Sequence, residues 1–267
     1  LSIRRQRQMC IRDRYNPPSH TAELAYSEDI SLQAIQNVVL LLKLMYGKMH
    51  DGLMPTLEDL LKCFNNFDLV QEMCEELEKD EELSKEYELQ LSYFKQYFYK
   101  GSEGRKDMQR YVHFASSTLD VLLRSAEARN IICNRYNNMD FGAVLDEGKI
   151  VLISTRPYEI GGTADQGFGR FFLMLMMCSV ENNRELVKNR IPHFLYVDEF
   201  DHYDPSNFED MFTLYRKFKI GTIFSAQTVS GLGSEKILAN SPTKITFGNN
   251  TPDEMDWWMR EFGKRRE

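Results

Sequence analysis

The sequence lacks the features that would place it in several large classes. It has no C-x-x-C pair. Its five cysteines (Cys10, Cys63, Cys74, Cys133, Cys178) are odd in number and scattered, which argues against a disulfide framework and a zinc ribbon and fits a reducing compartment. Long apolar runs are missing too. The longest, Phe171 to Val180, is ten residues between Arg170 and Glu181, against the roughly 18 that a bilayer demands. No G-x-x-x-x-G-K-[ST] phosphate loop occurs anywhere in the 267 residues. What is present is globular in character: 42% hydrophobic and 27% charged residues exclude a collagenous or wholly disordered chain and leave room for one large domain or two modest ones.

The net charge of −7 is unevenly spread. Residues 1–14 carry Arg4, Arg5, Arg7, Arg12 and Arg14 against Asp13, a local excess of four, so the rest of the chain is net −11. An acidic body restricts any nucleic-acid contact to a loop or channel. The first fourteen residues show neither apolar periodicity nor a leader's apolar core. They read either as a basic arm that touches phosphates or as non-native sequence resembling translated adapter, and they are set aside in fold reasoning. The chain does not begin with Met, and the expectation is a fragment whose N-terminal part is absent.

From about Ser31 to Arg135 the pattern is helical. Leu32, Ile35, Val38, Val39, Leu42 and Met45 recur at helical spacing. Asp51-Gly52 and Pro55 interrupt, and Thr56-Leu57-Glu58-Asp59 reads as a helix start ahead of Leu57, Leu60, Leu61 and Phe64. The carboxylate-dense Glu72–Glu88 stretch is either an acidic docking face or a solvated helix surface. After Asn138 the grammar changes to short β-branched runs. Strands are expected at Lys149–Ser154, His193–Asp198, Ile220–Ser225 and Lys244–Gly248, with a Gly-rich loop (Gly161, Gly162, Gly167, Gly169) before an apolar helix. Strands alternating with helices predict a mostly parallel α/β sheet covered on both faces, beside a separate all-helical domain.

Chemistry concentrates at Phe194-Leu-Tyr-Val-Asp-Glu-Phe200. Acids directly after an apolar strand should emerge at its carboxyl end, where open α/β sheets bind ligands. In a phosphate-cleaving site Asp198 would hold Mg²⁺ and Glu199 would orient and deprotonate water. The plainer reading is a strand becoming solvated as it leaves the sheet. Gln227, ending Ile220-Gly-Thr-Ile-Phe-Ser-Ala-Gln227, should emerge on the same edge and could bond both the water and a γ-phosphate. Arg216 could reach a neighbouring subunit's nucleotide. Asp198, Glu199, Asp201, His202 and Asp204 could alternatively form a two-metal cluster. Asp140-Phe-Gly142 matches a kinase triplet without a catalytic-loop motif before it. Trp257 and Trp258 could stack on bases or pack against the sheet, and Lys264-Arg-Arg266 is a basic tail.

Leu195-Tyr-Val-Asp-Glu-Phe200, Arg216-Lys-Phe-Lys-Ile-Gly221, Ser225-Ala-Gln227 and Ile237-Leu-Ala-Asn240 resemble TraG/TraD-type coupling ATPases, the DNA-pumping motors of conjugation and type IV secretion. Tyr15-Asn-Pro17, the helical block and Leu145-Asp-Glu-Gly-Lys-Ile-Val-Leu152 fit the same pattern, over about residues 15–267. The resemblance implies a RecA-like motor domain interrupted by an all-helical domain. Residues 15–28 would link from the missing motor core, 29–138 would form the helical domain and 139–267 the C-terminal part of the motor. It implies a hexameric ring around DNA at the cytoplasmic face of the bacterial inner membrane, with ATP and Mg²⁺ as cofactors, relaxosome or secretion-channel proteins as partners, and a membrane anchor in the missing N-terminus. Asp198 and Glu199 match the Walker B pair, Gln227 the glutamine after the next strand, and Arg216 the arginine that acts across the subunit interface. One departure stands out: Gly162-Thr-Ala-Asp-Gln-Gly167-Phe168 has phosphate-loop spacing but Phe where Lys is required. Other readings are an FtsK- or HerA-like motor, the secretion system's assembly ATPase, or a non-catalytic binding module.

Overall fold

The structure is a computed structural model that describes residues 22–136, 139–155, 162–183, 190–248 and 251–263. Residues 1–14, Tyr15-Asn-Pro17, Gly161 and Lys264-Arg-Arg266 lie outside them. The chain divides into two compact units, one of residues 1–138 with 155–168, the other of 139–154 with 169–267.

The first unit is helical: α1 (Ala22–Met49), α2 (Leu57–Asn65), α3 (Phe67–Glu78), α4 (Glu81–Glu86), α5 (Glu88–Tyr97), α6 (Arg105–Arg124) and α7 (Ala126–Ile132). Residues Asp29–Met49 of α1 are long and apolar enough to cross a membrane. Ala34, Val38, Leu41, Leu42 and Met45 are buried among Phe64, Phe67, Phe94 and Phe98 in this unit's core, which gives that apolar face a covered place. Polar side chains set the helix ends: Asn66 Oδ1 accepts the Asp68 N–H at the start of α3, and an Asp80 oxygen accepts the Leu83 N–H at the start of α4. The acidic surface of α3 to α5 is partly paired, Lys95 with Glu78 at 2.5 Å and Lys48 with Asp80 at 3.2 Å. Burial pushes the Cys63 thiol up to about 12, so it is an inert part of the core.

Asp59 joins three parts of this unit. Its Oδ2 accepts the backbone N–H and hydroxyl of Thr56 at 2.9 Å each, Oδ1 accepts the Tyr46 hydroxyl at 3.0 Å, and the Arg135 guanidinium lies 2.9 Å from Oδ2. Arg135 also stacks over the Tyr46 ring at 5.0 Å. Burial opposes ionisation of Asp59, but the Thr56 and Tyr46 hydrogen bonds and the Arg135 charge outweigh it, holding its carboxyl below the usual range.

The second unit holds α8 (Phe141–Glu147), most of α9 (Gly162–Asn183), β1 (His193–Val197), α10 (Glu209–Thr213), β2 (Ile220–Phe224), α11 (Glu235–Ala239) and α12 (Pro252–Phe262). Asp140 caps α8 by accepting the Gly142 and Ala143 N–H groups, so the kinase-like triplet is a helix start. The expected RecA-like, mostly parallel sheet is not what forms. Among the described residues the structure is 68% helical and 5% strand, and the strands make one two-stranded parallel sheet. Lys149–Ser154 and Lys244–Gly248 are not strands; Ile150 and Leu152 stay 89% and 93% exposed, Ile245 and Phe247 76% and 83%. A β-branched run becomes a strand only where a neighbour takes its hydrogen bonds and a layer covers its face. The Gly-rich stretch from Gly162 onward is likewise helix, because α9 starts there. Within it Gly169 lets the Tyr203 ring lie against the helix; a Cβ there would overlap that ring.

Asp59→Ala should cost the helical unit about 2–3 kcal/mol in urea unfolding, because Arg135 and the Tyr46 hydroxyl lose their common acceptor. The folded-state shift of Asp59 is downward, so its contribution is complete above the unfolded value near pH ~4 and is lost as pH falls through the folded one. Asp59→Asn should therefore flatten the acid limb of the stability curve; an unchanged acid limb would contradict this assignment.

Candidate functional site

β1 and β2 pair in parallel, with His193 opposite Ile220, Tyr196 opposite Ile223 and Val197 opposite Phe224. The pairing continues past both strands: the Ser225 N–H donates to Val197 O at 3.0 Å, and the Phe200 N–H to Ser225 O at 2.8 Å. Two parallel strands in this register leave the sheet at the same edge. Val197 is the last buried residue of β1, and Phe200 is fully buried, its ring 5.6 to 6.1 Å from those of Phe224, Phe212 and Phe208. The chain thus dives back into the core two residues after leaving it, and the intervening Asp198 and Glu199 project outward and are exposed. This reversal needs a left-handed residue, and Glu199 supplies it at φ 49°.

Three of the expected site residues meet here. The Gln227 side-chain amide donates to Glu199 Oε1 at 3.2 Å. Asp198 Oδ1 accepts the Ser225 hydroxyl and, at 3.1 Å, the Glu199 N–H, while Ser225 Oγ also accepts that N–H at 3.0 Å. Ser225 therefore bridges the two strand exits, a role its place beside Gln227 did not reveal. Arg216 is not brought to this edge. It is exposed in the 3-10 turn Tyr215–Phe218 that precedes β2, at the other end of strands about 17 Å long. Within one chain it cannot reach Glu199, and only a second subunit could present it there.

Asp198 has Oδ1 taken by the Ser225 hydroxyl and the Glu199 N–H, which leaves Oδ2 as the oxygen that could face a cation. The two-metal cluster fits less well. Among the described residues no three Asp, Glu, His or Cys side chains converge on a common point. Asp204 is engaged by Ser206 and Asn207, and Asp201 by the Gln227 backbone N–H. The phosphate-loop-spaced run Gly162–Phe168 lies in helix α9 and is not a loop. Trp257 packs edge-on against Trp258, which stacks on Phe262. No protein-family model, curated protein or solved structure matches the chain.

A non-glycine residue at positive φ is strained by about 1 kcal/mol, and such strain gathers at functional edges. Glu199→Gly should leave the thermal stability of the chain equal or slightly higher while removing the carboxylate. A loss above about 1 kcal/mol would show that Glu199 is held here for packing instead.

Proposed function

We propose that this chain is part of an ATP-driven DNA translocase of the coupling-ATPase kind, and that the carboxyl end of the β1–β2 pair is its water-activating edge. The observation that carries this reading is the meeting of the Glu199 carboxylate with the Gln227 amide, with Asp198 beside them at the exit of the same parallel pair. The reading rests on this edge.

The chemistry follows from the groups present. Glu199 is exposed at the strand exit and can accept a proton from an attacking water. Gln227 holds one carboxylate oxygen by its amide N–H, and its carbonyl remains available to orient the same water. Asp198, its Oδ1 fixed by the Ser225 hydroxyl, would hold Mg²⁺ through a water, and the ion when bound neutralises charge on the β- and γ-phosphates. The sequence contains no Walker-type lysine loop, so in this reading the phosphate contacts are supplied elsewhere in the assembly. Arg216 would act on a neighbouring subunit's nucleotide. A ring of subunits around DNA, placement at the cytoplasmic face of a bacterial inner membrane, and relaxosome or secretion-channel partners belong to the same proposal and are supported by the sequence resemblance.

Two outcomes test it. In an assembly that supplies the phosphate-binding segment, Glu199→Gln should keep nucleotide affinity and lower turnover by about 100-fold or more; unchanged turnover removes Glu199 from the mechanism. The 267-residue chain by itself should give no micromolar Mg-ATP binding in calorimetry. Tight binding would mean that the phosphate contacts lie within it.

A further inference from the structure

We infer that Asp201 is a positioning residue that holds Gln227 against Glu199, an inference that rests on the reading of the β1–β2 edge given above. Asp201 follows the buried Phe200 in the 3-10 turn Phe200–Tyr203, so its backbone is anchored to the core. Its Oδ2 accepts the Gln227 backbone N–H at 3.1 Å, a charge-assisted bond of the stronger kind. The rest of the Gln227 loop closes over the same side chain. At Gly231 a Cβ would stand 2.9 Å from Asp201 Cβ and 3.1 Å from its Oδ2, an approach that only glycine allows. Two residues beyond Gln227, the Val229 N–H donates to Glu254 Oε1 at 2.9 Å, and Glu254 belongs to the capping box of α12. Carboxylates from two different elements thus grip the loop at Gln227 and at Val229.

The consequence is geometric. Gln227 is exposed, and a free glutamine would spread its amide over many rotamers. Fixing its backbone beside the β1 exit confines that search to the reach of Glu199. Glu199 and Asp201 are two residues apart, so a single turn of chain carries both the proposed base and the anchor of the base's partner. Their separation is set by this one turn, which the buried Phe200 between them anchors to the core. Asp201 touches no reacting atom in this arrangement; it acts through Gln227.

The test uses the 267-residue chain and, separately, the ATP-hydrolysing assembly. By NMR on the chain, Asp201→Ala should speed hydrogen exchange of the Gln227 backbone amide about tenfold or more and shift the Gln227 side-chain NH₂ resonances. The Val229 amide, held by Glu254, should stay as in the wild type. Asp201→Asn keeps an acceptor oxygen and should restore the Gln227 signals. If the alanine variant also loses protection across β1 and β2, Asp201→Ser, whose oxygen is too short to reach, replaces it. Gln227 exchange within twofold of wild type in the alanine or serine variant overturns the inference. In the assembly, Asp201→Ala should lower kcat about tenfold with KM unchanged, and should add nothing on a Gln227→Ala background. A further loss in the double variant also overturns it. An assembly with no turnover at all refutes the reading of the edge, while the amide measurements still decide the role of Asp201.

Discussion

The parallel pairing of β1 with β2 is the constraint on which the candidate site depends. Because the strands run the same way with Val197 opposite Phe224, the chain has to leave both at one edge. The ladder is extended by the Ser225 N–H on Val197 O and the Phe200 N–H on Ser225 O, which locks the two exits together. A one-residue slip would turn Asp198 toward the core and Glu199 away from Gln227. The fully buried Phe200 sets the depth of the turn. The acids are exposed because the residues on either side of them are buried.

The two units are stabilised differently. In the helical unit the buried Asp59 carboxylate gathers a hydroxyl, a helix start and a guanidinium, and aromatic packing such as Phe67 on Phe98 at 4.4 Å fills the core around α1. In the second unit the apolar core lies under the sheet's exit and along α9, with Phe200, Phe208, Met211, Tyr215 and Val180 buried together. The outer face of the pair carries Phe194, Tyr196 and Ile223, all exposed. The acids stand on the rim of that core, at a residue with strained φ, which is a common location for groups selected for chemistry over stability.

Much of this was legible in particular residues. The spacing of Val38, Leu42 and Met45 marks the buried stripe of α1, and Thr56 with Asp59 marks the start of α2, because helical periodicity and capping are local properties. The runs His193–Asp198 and Ile220–Ser225 read as strands, each one residue longer than the strand that forms, and acids directly after an apolar run read as a strand exit. Other features depend on partners distant in sequence and could not be read. Lys149–Ser154 and Lys244–Gly248 are short apolar, β-branched runs as well, but among the described residues no strand pairs with them, so the expected large sheet does not form. Gly162 to Gly169 has the glycines of a loop, yet Gly169 is there for the Tyr203 ring. The bridging of Ser225 to Asp198 and the hold of Asp201 on the Gln227 backbone span 27 and 26 residues and follow from the register alone.

The most direct test of the account is the register itself, measured by cross-strand nuclear Overhauser contacts in isotope-labelled protein. The account predicts contacts that pair Tyr196 with Ile223 and Val197 with Phe224 in a parallel sense, together with a contact between the Gln227 side-chain amide protons and the Glu199 methylenes. A shifted or antiparallel register, or a Gln227 amide without any contact to Glu199, would contradict it.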